Sequence, residues 1–155
     1  MLQVTEGRTA RPQRGCMLVH PDFPCLSATP DYIEQDYGSG EMRIVEIKSW
    51  SQRHPNDLPT DVEWQVVTQL AIVKATIGAE ALRLQAVVYA AYPDSRDGEP
   101  DVYLVDWDSQ AQQLWEHSIL PISVRFYFEV RRELGGNSSA FCCLLHATEP
   151  LAPPS

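Results

Sequence analysis

The chain of 155 residues has no run of eighteen apolar residues, so no membrane-spanning helix is expected. Its opening stretch, Met1 to Arg8, lacks the apolar segment of a signal peptide, which makes the cytoplasm the expected location. Cysteine is scarce: Cys16, Cys25, Cys142 and Cys143 are the only four. No CxxC pair occurs, and adjacent cysteines do not have zinc-site spacing. Reduced, structural cysteines are expected, with a Cys-His site through His146 as the weaker option. No internal repeat is present. Basic residues are outnumbered, 12 Lys and Arg against 21 Asp and Glu, which argues against a generally basic nucleic-acid binder.

That deficit is uneven. Residues 1–53 hold six basic and seven acidic side chains, whereas residues 54–108 hold three and ten. Two of the acids in the first segment would be neutralised by a bound divalent cation. Arg8, Arg11, Arg14, Arg43 and Arg53 could then make that region locally positive.

The length fits one domain, residues 1–155, with a core large enough to fold without staples. Residues 1–15 are polar and aperiodic and read as a flexible lead-in; residues 137–155, ending Ala-Pro-Pro-Ser, read as a partly disordered tail. Between them the pattern gives strands at Cys16–His20, Asp31–Glu34 and Arg43–Lys48, with a turn at Gly38-Ser39-Gly40. Pro21–Thr29 reads as a loop. A helix starts at Thr60 with Glu63 completing a capping box; Val62, Val66, Val67, Leu70, Val73 and Ile77 recur at helical spacing before Gly78. Strands are expected at Leu82–Tyr92 and Asp101–Trp107, then a helix from Gln110 to Leu134, interrupted or restarted at Pro121. This order predicts an α/β fold with a mixed central sheet.

One set of residues offers chemistry. Asp31 is followed fifteen residues later by Glu46-Ile47-Lys48 on an apolar strand, and then by a helix carrying Gln65 and Gln69. With side chains alternating along a strand, Glu46 and Lys48 share the face of Ile44, while Val45 and Ile47 pack on the other. Two carboxylates can hold a hard cation such as Mg²⁺ or Mn²⁺, and a lysine can help activate water and neutralise developing charge. A carboxylate inside Ile44-Val45-Glu46-Ile47 is not an ordinary solvated residue. Elsewhere the bland readings prevail. Phe126, Tyr127 and Phe128 are expected in the core beside Val124 and Val130 rather than as a stacking surface. Asp94, Asp97, Glu99 and Asp101 lack EF-hand spacing and read as a solvated turn, and His54 and His117 as surface residues.

His20-Pro21-Asp22-Phe23-Pro24 through Pro30-Asp31, then Val45-Glu46-Ile47-Lys48-Ser49, then Trp64-Gln65 through Gln69 resemble, in order and spacing, three motifs of the YqaJ-type viral recombinases. These belong with the phage lambda exonuclease in the PD-(D/E)xK nuclease superfamily. The likeness runs from about Cys16 to Trp107. It implies a restriction-endonuclease-like core, its mixed sheet flanked by helices. It also implies roles: Asp31 and Glu46 as metal ligands with the Ile47 carbonyl, Lys48 for water, and Gln65 orienting Lys48 or the scissile phosphate. His20 falls near the place of a further metal-binding histidine in related nucleases. Arg43, Arg53, Trp50 and Gln69 make up the expected DNA-facing set, Trp50 having loop packing as an equal alternative.

The implied activity is Mg²⁺- or Mn²⁺-dependent hydrolysis of DNA, exonucleolytic and acting on linear duplex ends in phage-type recombination. Family members form ring-shaped homo-oligomers and work beside a single-strand annealing protein; no membrane partner is expected. Three departures stand out: Tyr32 replaces a glycine, Val67 replaces a glutamine, and the family's N-terminal helical region is absent from this sequence. The alternatives are a nuclease-fold module that binds DNA or protein without cutting, or an endonuclease of the same superfamily.

Overall fold

A computed structural model of the chain describes residues 13–14, 17–35, 41–52, 57–77, 83–93 and 99–133. The strands are β1 (Gln13–Arg14), β2 (Leu18–Val19), β3 (Ser27–Ala28), β4 (Tyr32–Gln35), β5 (Glu41–Ser49), β6 (Arg83–Ala91) and β7 (Asp101–Asp106). The helices are α1 (Thr60–Ile77), α2 (Ser109–Leu114) and α3 (Leu120–Glu133), with a π-helical turn, Trp115–Ile119, joining the last two.

Five strands form one mixed sheet in the order β1-β4-β5-β6-β7. Among the described residues, only β5 and β6 run parallel; α1 is the crossover between them, as a parallel pair requires. The fold is therefore α/β with a mixed central sheet. β2 and β3 make a separate two-stranded ribbon, so the segment Pro21–Thr29 contributes a short strand rather than loop alone. Gln13 and Arg14 are likewise not all lead-in: they pair with Ile33 and Tyr32 of β4.

α1 occupies the centre of the packing. Val62, Val66, Leu70 and Val73 lie against Ile44 of β5 and Leu84, Ala86 and Val88 of β6. Val67 and Ala71, one position round the helix, meet Ala111, Trp115 and Ile119. At about 1.5–3 kcal/mol for each fully buried aliphatic side chain, these two seams are the main source of stability. Helical spacing announced α1 correctly, but its first turn closes differently from a capping box. The Pro59 carbonyl accepts from the N–H groups of both Val62 and Glu63, so the Glu63 amide goes to that carbonyl. Gly78 lies outside the described residues.

The C-terminal helical stretch does not break at Pro121. Proline has no N–H, and its ring crowds the carbonyl four residues back. The π-helical turn just before it widens the backbone, so Leu120 N–H reaches the Trp115 carbonyl and the helix runs on. Asp108 starts this stretch, its carboxylate accepting from the N–H groups of Gln110 and Ala111, both at 2.9 Å. Asp108→Ala is expected to cost about 1 kcal/mol in urea unfolding, the usual value of an N-cap.

The aromatic residues of α3 overturn the core expectation: Phe126 is 66% and Phe128 58% exposed. No residue of α3 is buried: it continues directly from the π-helical turn, and among the described residues it makes no substantial contact with the sheet or with α1. Among the described residues, no helix is long and apolar enough to cross a membrane.

Candidate active site

β4 pairs antiparallel with β5 from Tyr32 opposite Val45 onward. One step before the pairing begins, the same register sets Asp31 opposite Glu46 and Pro30 opposite Ile47. Asp31 does there what a strand backbone would otherwise do: its Oδ2 accepts the Ile47 N–H at 2.7 Å. Residues along a strand send their N–H and C=O to the same side, so the Ile47 carbonyl faces this margin too. The ladder position opposite it is Pro30, which has no N–H to offer. A carboxylate, a second carboxylate and a carbonyl thus meet where the sheet opens.

Glu46 and Lys48 point from β5 toward α1, as alternation predicts, together with Ile44. Gln65 and Gln69, one turn apart on α1, come down on them. Lys48 Nζ donates to Gln65 Oε1 at 2.7 Å, and Gln65 Nε2 donates to Glu46 Oε1. Gln69 Nε2 donates to the same Glu46 oxygen at 3.1 Å, and Lys48 Nζ stands 3.7 Å from it. Glu46 is only 3% exposed. Burial pushes its carboxyl above the ordinary range; the Gln69 hydrogen bond and the Lys48 charge oppose that, and the neighbouring Asp31 carboxylate adds to it.

Gln69 is a correction. Expected on the DNA-facing surface, it is 2% exposed and bound to Glu46. The signal was there in the helical spacing: Gln69 is three residues after Val66 and four before Val73, in the middle of the buried stripe, whereas Gln65 lies at its margin. Trp50 packs with Tyr92 and Tyr103, ring centroids 6.0 Å apart in both pairs, which is the packing alternative. Arg43 lies near the start of β5, at an odd position that faces away from Glu46 and Lys48. Arg53 lies outside the described residues. Ile47 was expected to pack on the second sheet face with Val45; Val45 is buried, but the Ile47 side chain is 54% exposed.

His20 is buried and held by its surroundings. Its ring stacks on Trp115 and lies against Phe23, while Nδ1 accepts the Asp22 N–H at 3.2 Å. That bond puts the neutral ring's proton on Nε2, so this tautomer presents no lone pair outward. Burial lowers the His20 pKa below 6.5, with Asp22 opposing. The unfolded chain then takes up a proton first as pH falls below 6.5, so His20 subtracts stability on acidification and none above that value. The expected readout is an NMR titration midpoint below 6.5, unmoved by Mg²⁺.

Among the described residues, no three His, Cys, Asp or Glu side chains converge to hold a metal ion. Two carboxylates do converge, and that is a donor set suited to one kind of ion. Mg²⁺ is usually held by one or two carboxylates, keeping waters and taking substrate phosphate oxygens for the rest. Among the described residues, Gln69 Oε1 is a buried acceptor without a hydrogen-bond partner. A scan against protein-family models finds no match to this chain, and no curated protein matches it.

Proposed function

We propose that the chain is a Mg²⁺- or Mn²⁺-dependent deoxyribonuclease with a restriction-endonuclease-like core, of the YqaJ-type branch of the PD-(D/E)xK superfamily. The observation that carries this reading is the closed network Lys48–Gln65–Glu46, set beside Asp31 at the point where β4 leaves β5. A structural salt bridge would need no second carboxylate facing the first. Two adjacent carboxylates, one of them buried, are costly unless a cation neutralises them.

Asp31 and Glu46 would hold the ion, with the Ile47 carbonyl, and bound there it would supply positive charge to a scissile phosphate. Lys48, fixed by Gln65, orients a water toward phosphorus and stabilises charge gathering on the non-bridging oxygens. Water oxygen bonds to phosphorus as the bond to the leaving sugar oxygen breaks; the attacking water gives up a proton to bulk solvent, and the departing oxygen takes one from solvent. Linear duplex ends are the proposed substrate, in the cytoplasm, in a recombination role that would pair the enzyme with a single-strand annealing protein. A homo-oligomer enclosing DNA belongs to the same proposal.

The test is incubation of linear and closed circular duplex DNA with Mg²⁺ and Mn²⁺. Cation-dependent nucleotide release from linear DNA alone is the expected result. Cutting of closed circles would make it an endonuclease, and binding without cutting would make it a nuclease-fold module.

A further inference from the structure

We infer that Gln69, acting with Gln65, restricts Glu46 to one available oxygen and so makes the site favour Mg²⁺ over Ca²⁺. The inference rests on the reading above, in taking Asp31 and Glu46 as the cation's carboxylates. All the donors in the network act on the same atom: Gln65 Nε2, Gln69 Nε2 at 3.1 Å and Lys48 Nζ at 3.7 Å converge on Glu46 Oε1. A carboxylate oxygen has two lone pairs, and here they are taken. What remains for a ligand is Oε2.

Rotating the carboxylate to present both oxygens would cost those bonds in a place where lost bonds are not replaced by water, since Glu46 is 3% and Gln69 2% exposed. Both residues also stand on rigid elements, β5 and the doubly packed α1. Ca²⁺ takes six to eight oxygens and commonly binds a carboxylate through both. Mg²⁺ takes six in near-octahedral array, commonly one per carboxylate, and retains water. Gln69 contributes by helping to hold Oε1, its amide N–H donating to that oxygen at 3.1 Å, which leaves Oε2 as the one oxygen Glu46 offers a cation. Gln69 is a positioning residue in this scheme and touches neither cation nor phosphate.

The test is calorimetric titration of the full chain with MgCl₂ and with CaCl₂, for wild type and Gln69→Met, circular dichroism checking the fold. Methionine keeps the volume and removes the amide. The expected result is Mg²⁺ preference in wild type and a preference about tenfold narrower in Gln69→Met, the scale on which outer-shell partners act. A folded Gln69→Met with the wild-type ratio overturns the inference while leaving the cation site standing. Wild type that binds neither ion overturns the site itself. Should Gln69→Met not fold, a wild-type crystal soaked in MnCl₂ decides: Glu46 ligating through Oε2 alone supports the inference, and two-oxygen ligation overturns it.

Discussion

Lys48→Ala is expected to slow nucleotide release from linear duplex DNA by about a thousandfold, within the range for a lost proton-handling or charge-stabilising group. The same variant should bind Mg²⁺ as well as wild type, or slightly better. The asymmetry follows from position. Lys48 Nζ is fixed by Gln65 Oε1 at 2.7 Å, on the accessible side of Glu46, with 24% of its side chain exposed. Its charge acts on what arrives there, while the carboxylates that would hold the ion belong to Asp31 and Glu46. Deleting the ammonium removes a positive neighbour from the cation site, and water can replace its bond to half-buried Gln65. Single-turnover cleavage measured beside calorimetric Mg²⁺ binding separates the two effects. Cleavage within tenfold of wild type would take Lys48 out of the mechanism, and loss of Mg²⁺ binding would make its role structural.

Glu46→Gln is expected to abolish cleavage and Mg²⁺ binding, yet to stabilise the cation-free protein by about 1 kcal/mol, or roughly 2–4 °C in Tm for a chain of this size. A glutamine here keeps an oxygen for the Gln65 and Gln69 donors and turns an N–H₂ toward Asp31, replacing a carboxylate facing a carboxylate. The sign follows from Glu46 itself, whose pKa lies above its ordinary 4.5 in the folded chain, chiefly through burial. Between 4.5 and that raised value the folded state holds more protons than the unfolded state. Stability of the cation-free protein therefore falls as pH rises through this window, and ionised Glu46 is a net cost above it. Mg²⁺ should reverse that cost in wild type, by about 2.7 kcal/mol at a hundred times its dissociation constant, and do nothing in Glu46→Gln. Melting curves with and without MgCl₂ give both numbers. A cation-free Glu46→Gln that melts below wild type would contradict the assignment.

Much of this was legible in the residues. The alternation in Ile44-Val45-Glu46-Ile47-Lys48 places Glu46 and Lys48 on one face, and the spacing of Val62, Val66, Leu70 and Val73 gives the helix that covers it; both arrangements occur. Local pattern could not say how many sides of α1 would be buried. Val67 read as part of one seam, but with Ala71 it forms a second against Ala111, Trp115 and Ile119. Gln69 belongs to the first seam, three residues after Val66 and four before Val73, on the face that meets Glu46 of β5. The same limit applies to α3, whose run of aromatic residues carries no information on whether a partner surface awaits it. Gln13 and Arg14 were unreadable for another reason: two residues give no periodicity, and their strand exists only because β4 offers an edge.

The placement of both glutamines on the crossover helix has a kinetic consequence. Gln65 and Gln69 lie 19 and 23 residues along the chain from the Glu46 they hold, with β5 and α1 at either end of that short loop. Closing so short a loop is cheap, so the hydrogen-bonded centre can form with the first strand-to-helix contact rather than wait for the distant ends. The converse holds on unfolding. The residues that orient Glu46 belong to the same helix that buries Val66 and Leu70, so the centre cannot loosen by fraying alone; it is lost when α1 leaves the sheet.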